Sequence, residues 1–591
     1  MRWISELDCG AADSGSKVLC SKENQEQRFR SVSSVSNPIC NCAASDVGDN
    51  HKYVSRNPGK GTRLTVRIAV AVLVVVGSAW MGFMRNAGMG GAHHDEVIAL
   101  MAAKGMQREW VRMVDAHEAP LHEIVPASQW QRFTRNFTPV PWTEIRKDVM
   151  LWDKHPPLAF WVMNHWLSLF TNAGDHQAVI LIWLEMVLSA GVLGITAYRC
   201  SGKSSIGMIA FSVFLAGNSA VFTSTWVRQY ALFTLCFAML VLGAAEIAKL
   251  GLTSRQFSAW CVVIGVSTLL GMMCQYTFST MTAPIHLAIL GVLVFRRLWT
   301  RVAMLLGAYA IAGVLFFYLL PGAVAHAAAV SAGLEHKWQL HDALRGIARM
   351  YVPLPSTLPA SIFAVVGVVA LLGPLVIASI LVFRPVRPTA ISDRADVRVP
   401  LAGMLGAGVL QFVMVTLGFF PGWATSENHM CAFWLLTVLA VSVLLAEWSS
   451  KLRLAVVGLT LTFMIGMQSL YVWHTHRILP RVNTSYITSQ RPDLVCVDNL
   501  ARGFVLQITD VMTPEQQVLA TNSSELSRRL RDGSLSEYHR ILYLPMDSTV
   551  RDGEQQVVAA ARSAGLRINT LPVVHTGMYE AIMFESTGVA Q

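Results

Sequence analysis

Charged residues are scarce in this chain of 591 residues: 14% are Asp, Glu, Lys or Arg, whereas 53% are hydrophobic. A soluble protein of this length carries about 25% charged residues. The deficit argues against a soluble enzyme and predicts many membrane-spanning helices, each of which needs roughly 20 apolar residues. The net charge of +10 does not indicate nucleic-acid binding, because most basic residues stand in the N-terminal tail and in short loops between apolar runs.

Several sequence signals of cofactor sites are also missing. The chain has no Walker loop and no glycine-rich dinucleotide turn, so a nucleotide-sugar donor has no evident site. The region after residue 473 has only Cys496, which excludes an internal disulfide there. Cys40 and Cys42 form a C-x-C pair without further His or Cys partners, so the sequence specifies no metal site. It leaves a requirement for a divalent cation open, and it indicates no other cofactor.

The hydropathy pattern predicts an α-helical polytopic membrane protein of about 11 transmembrane helices. Residues 1–65 are polar and lack periodicity, which predicts a disordered cytoplasmic tail. Residues 66–473 form the predicted membrane domain, and Ile68–Met84 is its first span. Further apolar runs lie at about 177–198, 205–223, 230–248, 258–274, 280–295, 302–320, 359–383, 401–420, 430–446 and 454–473.

Residues 474–591 are predicted to form a small α/β domain. Arg540–Pro545 and Tyr579–Phe584 have the pattern of strands, and Gly553–Gly565 has that of a helix. Lys and Arg are concentrated in alternate loops, which predicts a cytoplasmic N-terminus and an extracytoplasmic C-terminal domain. Two long loops, 85–155 and 321–358, then lie on the same outer face. The second contains a basic amphipathic helix in this interpretation.

The first outer loop, 85–155, has a cluster of ionisable residues directly after the first span. Asp95 and Glu96 follow His93 and His94. Acidic residues there can simply cap a helix. The position also suits a general base whose pKa is tuned by its neighbours. The apolar residues that follow, such as Val97, predict a helix lying along the membrane surface.

Two further stretches carry polar groups at the predicted outer face. Asp153-Lys-His-Pro-Pro-Leu158 opens the next hydrophobic block, and its lysine and His155 suit a lipid phosphate at headgroup depth. Its prolines also suit the first turn of a helix. Arg228-Gln-Tyr230 lies in an outer turn, where an arginine either meets an anion or extends towards the membrane surface. Glu185 lies within an apolar run, and a residue of this kind is usually functional or paired.

In order and sidedness these motifs resemble the GT-C superfamily of membrane glycosyltransferases, especially the branch of protein O-mannosyltransferases, lipid A aminoarabinose transferase and lipopolysaccharide galacturonosyltransferases. The resemblance covers roughly residues 65–250. It implies that a sugar passes, with inversion, from a polyprenyl-phosphate carrier to an extracytoplasmic acceptor such as lipid A, a polysaccharide, another lipid or a protein. Asp95 matches the catalytic aspartate and Arg228 the arginine near the carrier phosphate.

The resemblance also extends the list of expected site residues. Glu96 is expected beside Asp95 as a second catalytic carboxylate. Residues expected to bind substrate, besides Arg228, are His94, Asp153, His155, Tyr230, Lys337 and His429. The sequence departs from the family at Trp226, where many relatives have an acidic residue, and at Ser426–Met430, where they often have Arg-Tyr. Both departures leave the sugar undetermined.

Two other functional classes remain open. A transporter or flippase of lipid-linked saccharide should have inverted repeats and broken helices, and no internal symmetry is visible in the sequence. A surface-polysaccharide ligase or polymerase has a similar number of spans but lacks the early Asp-Glu loop. The C-terminal domain also suits an interaction module carried by an inactive membrane part. The presence of Asp95, His155 and Arg228 together favours the transferase.

Overall fold

The computed structural model describes the chain from residue 93 onward, with gaps. The described residues are 93–116, 118, 120–249, 251–332, 340–351, 353, 358–383, 396–417, 429–475, 489–498, 504–510, 512–545, 551–570 and 581–586. All of them lie in the second of the two units into which the chain divides, residues 63–591. The predicted tail, the predicted first span Ile68–Met84 and Lys337 therefore lie outside the described residues.

The described part is mainly helical. Its helices are α1 His94–Ala103, α2 Gln107–Ala116, α3 Ser128–Gln131, α4 Trp142–Trp152, α5 Leu158–Leu167, α6 Asp175–Ser201, α7 Ser204–Ala216, α8 Asn218–Thr225, α9 Tyr230–Ile247, α10 Ser254–Cys274, α11 Phe278–Phe295, α12 Trp299–Leu319, α13 Ala323–Ala332, α14 Leu340–Tyr351, α15 Ala360–Phe383, α16 Arg398–Thr416, α17 Cys431–Leu445, α18 Ser450–Thr475, α19 Phe504–Thr509, α20 Ser523–Arg531 and α21 Arg551–Ser563. Its strands are β1 Ile124–Pro126, β2 Leu494–Asp498, β3 Gln517–Thr521, β4 Arg540–Pro545, β5 Leu566–Thr570 and β6 Ile582–Ser586.

The chain is a multi-pass membrane protein with a small sheet region. Within the described residues, seven helices are long and apolar enough to cross a membrane, namely α6, α9, α10, α11, α12, α15 and α18. The number becomes eight if α7 and α8, which are bent by 61° relative to each other, form one broken span. Two shorter apolar helical stretches are Arg398–Met414 of α16 and Cys431–Leu445, which is α17. The predicted count of about eleven spans is therefore not confirmed.

The bend between α7 and α8 lies at Gly217, inside the run 205–223 that the sequence predicted as one span. A Cβ atom at Gly217 would lie 2.3 Å from the indole ring of Trp434. That indole donates through Nε1 to the Phe214 carbonyl at 3.0 Å, and Gln468 Nε2 donates to the Ala216 carbonyl at 2.7 Å. Side chains of α17 and α18 thus donate to carbonyls at the break, where the regular hydrogen-bond pattern of a helix is interrupted.

Helix α14 corresponds to the amphipathic segment predicted in loop 321–358. Its apolar residues Leu344 and Ile347 are buried, and it packs against α15 and α8. The Arg345 guanidinium lies 5.1 Å from the centre of the Phe363 ring. This helix is therefore part of the helical bundle rather than only a surface element.

The six strands form one sheet in the order β1-β3-β2-β4-β6-β5. The three central strands are parallel, with Val495 of β2 opposite Val518 of β3 and Leu542 of β4, and the other pairs are antiparallel. Strand β4 has the predicted bounds. Strand β6 and helix α21 overlap the segments predicted as a strand and a helix, with ends shifted by a few residues. Strand β1 belongs to the segment 85–155, and the sequence pattern did not predict it.

Helix α1 lies between this sheet region and the membrane helices. Val97 and Met101 pack in an apolar cluster with Trp130 and with Val505 of α19, whereas Leu100 packs in the core of the membrane helices. The segment 85–155 is also joined to the C-terminal region by Gln131, whose Nε2 donates to the carbonyls of Thr509 and Met512 at 2.8 Å each. Protein therefore covers Val97, Leu100 and Met101 of α1 from both sides, and the position of α1 along a membrane surface stays a prediction.

Candidate active site

The N-terminus of α1 is closed by a reciprocal capping box. Nδ1 of His93 accepts from the backbone N–H of Asp95 at 3.2 Å, and Oε2 of Glu96 accepts from the backbone N–H of His93 at 2.6 Å. Such a box satisfies backbone donors that a helix leaves unpaired, and its carboxylates are favoured by the helix dipole. The Asp95 side chain does not take part in the box and remains 28% exposed.

Glu96 also connects α1 to the turn that precedes α9. Its second oxygen, Oε1, accepts from the backbone N–H of Val227 at 3.0 Å, and the residue is fully buried. Both oxygens of the predicted second catalytic carboxylate thus bind backbone donors. Through this contact Glu96 holds the turn beside Asp95.

Arg228, in the turn before α9, forms an ion pair with Asp95 of α1. Nη2 of Arg228 lies 3.2 Å from Oδ1 of Asp95. Nη1 is buried and has no hydrogen-bond partner within the described residues. Burial alone would lower the pKa of the guanidinium, but Asp95 and Asp153 outweigh it and raise the pKa. The arginine therefore remains charged, with one nitrogen on a carboxylate and the other without a partner among the described residues.

Asp153 is held ionised near Arg228. Its Oδ1 lies 2.6 Å from Nδ1 of His155, and its Oδ2 accepts from Nε2 of Gln107 at 2.9 Å. Burial would raise the pKa of the Asp153 carboxyl, but His155, the Arg228 charge and the Gln107 hydrogen bond together lower it. The Asp153-Lys-His motif therefore supplies a fixed negative charge and an imidazole beside Arg228.

His429 and Tyr230 complete this group of predicted residues. The Tyr230 hydroxyl lies 3.1 Å from Nε2 of His429. Burial, with the His155 ring and the Arg228 charge as smaller causes, lowers the pKa of His429 to about 3. His429 is therefore neutral at physiological pH and offers a hydrogen bond but no positive charge.

The sequence analysis missed three polar residues of the site, namely Gln107, Tyr276 and His326. Gln107 binds Asp153 as described above. His326 of α13 lies with Nε2 2.8 Å from the Asp153 carbonyl and with Nδ1 2.8 Å from the Tyr276 hydroxyl. None of them belongs to a motif, and an isolated polar residue near an apolar run gives no signal of a partner so distant in the chain.

Trp226, which departs from the family pattern, lies directly beside the capping box. Its ring makes edge contacts with His93 at 5.8 Å and with Phe222 at 5.1 Å, measured between ring centres. The site therefore has an aromatic wall at Trp226.

Other predicted residues are not part of this group or cannot be placed in it. Glu185 is buried in α6, and its Oε2 has no hydrogen-bond partner in the part of the chain that the structure describes. His94 is the first residue of α1, and its side chain lies outside what the structure describes, as does all of Lys337. Among the described residues, no group of three or more His, Cys, Asp or Glu side chains is arranged to hold a metal ion.

The chain was compared with known proteins in three ways. No protein-family model matches it, and no curated protein matches it significantly. Among solved structures, ArnT from Cupriavidus metallidurans in the apo state matches at 14% identity over 88% of this chain and 98% of that chain, with a TM-score of 0.37. ArnT bound to undecaprenyl phosphate matches at 12% identity over 89% and 98%, with a TM-score of 0.35.

A third match is the archaeal oligosaccharyltransferase AglB from Archaeoglobus fulgidus in complex with an inhibitory peptide and a dolichol-phosphate. It is 10% identical over 83% of this chain and 72% of that chain, with a TM-score of 0.41. ArnT and AglB are both GT-C glycosyltransferases, the superfamily that the sequence motifs resemble. Identities of 10–14% and TM-scores below 0.5 do not by themselves assign an activity to this chain.

Proposed function

We propose that this protein is an inverting glycosyltransferase that moves a sugar from a polyprenyl-phosphate carrier to an extracytoplasmic acceptor. The observation that carries the proposal is the contact between Arg228 and Asp95. One guanidinium nitrogen binds the carboxylate, and the other is buried without a partner among the described residues. Asp95, the proposed general base, and Arg228, the proposed ligand of the phosphate, are thereby in direct contact.

This geometry suits a single displacement at the anomeric carbon of the sugar. The acceptor hydroxyl oxygen forms the new bond to that carbon while the bond from carbon to the carrier phosphate oxygen breaks. The bonding electrons leave with the phosphate, and the hydroxyl proton passes to Asp95. Arg228 stabilises the charge that develops on the leaving phosphate. Attack opposite the leaving group inverts the anomeric configuration, as one displacement requires.

The residues around Arg228 have supporting roles in this proposal. Asp153 orients His155, and His155, Tyr230 and His429 bind the donor around its phosphate. Glu96 is assigned to positioning, because both of its oxygens hold backbone donors. We also propose that the site and the C-terminal domain face away from the cytoplasm, as the alternation of basic loops predicts.

The test is mass spectrometry of envelope glycolipids, polysaccharides and proteins from cells that lack the gene or express a variant. We expect one glycoform to disappear in the null strain and in the Asp95→Asn strain. Arg228→Ala should lower the same product strongly. The mass that is lost identifies both sugar and acceptor.

Matched controls make this test decisive. Asp115→Asn and Arg112→Ala make the same chemical changes at exposed positions on α2 and should leave the glycoform intact. If the null strain loses a glycoform that Asp95→Asn retains, Asp95 is a capping residue and the proposed site is wrong. If the null strain loses no glycoform, the transferase proposal fails.

A transporter or flippase of lipid-linked saccharide is the second candidate, and the 61° bend between α7 and α8 favours it. Such a protein would move labelled carrier lipid across a reconstituted bilayer without changing its sugar. Flipping that continues in Asp95→Asn, with no transfer product from the unaltered protein, would support this candidate over the transferase.

A further inference from the structure

Two buried glutamines near Arg228 each leave one amide atom unpaired. Gln107 is 3% exposed and Gln229 is 1% exposed. In both residues Nε2 donates a hydrogen bond, whereas Oε1 is buried and has no partner among the residues that the structure describes. Buried polar atoms are nearly always paired in proteins, so two unpaired amides beside one site call for an explanation.

The orientation of Gln107 follows from its neighbour. Nε2 lies 2.9 Å from Oδ2 of Asp153. A rotated amide would direct its carbonyl oxygen at an ionised carboxylate, and the two would repel each other. The amide nitrogen must therefore face Asp153, and the unpaired atom of Gln107 is a hydrogen-bond acceptor.

Gln229 is bound to a second turn on the same side of the molecule. Its Nε2 donates to Oε1 of Gln275 at 2.9 Å. If both amides rotated together, the pair would survive with the roles exchanged, so one polar atom of Gln229 is left over in either orientation. Because Gln229 follows Arg228 directly, this atom belongs to the turn that carries the proposed phosphate ligand.

Both amides belong to one polar network around Arg228. Gln107 binds Asp153, whose charge interacts with Arg228. On the other side Gln275 precedes Tyr276, whose hydroxyl binds His326, and His326 in turn binds the Asp153 carbonyl. Gln107 is thus joined to Arg228 through Asp153, and Gln229 is joined to the same group through the chain, because it follows Arg228 and binds the residue before Tyr276.

We infer that Gln107 and Gln229 bind hydroxyl groups of the transferred sugar, an inference that rests on the proposed function. A sugar phosphate has the matching chemistry, with one anionic group for Nη1 of Arg228 and several hydroxyls next to it. Each hydroxyl can both donate and accept, so it pairs with either amide atom. Gln107 and Gln229 then select the sugar through its hydroxyl groups, and Arg228 selects donors in which that sugar is attached to a phosphate.

The test compares two lipids in binding to the full-length protein in nanodiscs, namely undecaprenyl phosphate and the same lipid with a hexose. The variants are Gln107→Met and Gln229→Met, with exposed Gln129→Met as the matched control. Each glutamine variant should lose about tenfold in its preference for the hexose lipid over the bare lipid, whereas the control should keep that preference. Arg228→Ala should weaken binding of both lipids.

Single-deoxy hexose lipids separate direct contact from a structural effect. If Gln107 binds one hydroxyl, removing that hydroxyl and mutating Gln107 should not be additive. Gln275→Met, which removes only the neighbour of Gln229, should cost less preference than Gln229→Met.

Two results would overturn the inference, and they are distinguishable. If the unaltered protein prefers the hexose lipid and both glutamine variants retain that preference, water satisfies the amides and only this inference fails. If glutamine and deoxy effects add for every hydroxyl, the glutamines act through structure, and the inference fails likewise. If the unaltered protein binds neither lipid, the proposed function fails with it.

Discussion

Replacing Glu96 by glutamine tests whether this residue positions the site or takes part in the chemistry. In the structure both carboxylate oxygens accept backbone hydrogen bonds, one from His93 at 2.6 Å and one from Val227 at 3.0 Å. A glutamine amide has one acceptor oxygen, and its NH₂ group would face the other backbone N–H. The variant therefore leaves one buried donor unpaired while it preserves the shape of the side chain.

The magnitude follows from that lost bond. A buried donor without a partner costs about 1–3 kcal/mol, and the carboxylate bond it replaces is charge-assisted. We expect Glu96→Gln to lose about 2 kcal/mol of stability. The loss falls on the junction that holds Arg228 beside Asp95, and a shift of about 1 Å there can reduce turnover about a hundredfold. Asp95→Asn should instead remove the base, with a loss of about a thousandfold. It should also lower stability, because the buried Arg228 charge loses its paired carboxylate.

The assay is sugar transfer by purified protein in nanodiscs, with the melting temperature of each variant measured on the same sample. Glu109→Gln is the matched control, because Glu109 forms an exposed ion pair with Arg132 at 2.9 Å and such pairs contribute little. If Glu96→Gln abolishes transfer as fully as Asp95→Asn with an unchanged melting temperature, Glu96 is chemically active and the positioning argument is wrong. If neither stability nor transfer changes, the junction does not depend on Glu96.

Two further predictions concern stability. Burial, with the Asp175 charge as the next cause, raises the pKa of Asp510 to about 6. Between about pH 4 and 6 the folded protein therefore keeps a proton on Asp510 that the unfolded chain has lost. The contribution of Asp510 to the stability of the fold consequently falls as the pH rises through 6. Asp510→Asn should flatten the dependence of melting temperature on pH in that window, and an unchanged slope would contradict the assignment. Gly217→Ala should cost about 1–3 kcal/mol of stability, because the new Cβ would lie 2.3 Å from the Trp434 ring. The control is Gly191→Ala, since Gly191 has open space around it. Equal melting temperatures for the two variants would refute the close approach.

The membrane character of the chain could be predicted because a span is a local property of about 20 consecutive residues. The break at Gly217 could not be predicted in this way. Residues 205–223 form a continuous apolar run, and the bend depends on Trp434 and Gln468, which are distant in sequence. Strand β1 was missed for a similar reason, since three residues paired with β3 give no recognisable alternation.

The sequence likewise predicted many residues of the proposed site but not the contacts between them. Asp95, Asp153, His155, Arg228, Tyr230 and His429 were predicted from the sequence, partly from their positions at predicted outer ends of apolar runs and partly from the resemblance to the GT-C superfamily. The contacts that build the site depend on side-chain geometry across long separations, such as the 131 positions from Glu96 to Val227. Gln107 and His326 carry no pattern of their own, and only the folded chain brings them to Asp153.

The position of Asp95 depends on two parts of the fold, the sheet region and the membrane helices. Helix α1 has only ten residues, and an isolated helix of that length is marginal in water. Its order must therefore come from the apolar contacts on its two sides, through Val97 and Met101 to the sheet region and through Leu100 to the membrane helices. Because Asp95 lies in the first turn of this helix, any shift of the sheet relative to the membrane helices moves the carboxylate relative to Arg228. The C-terminal region, whose role the sequence left open, is thus expected to control the geometry of the proposed site even if it never touches a substrate.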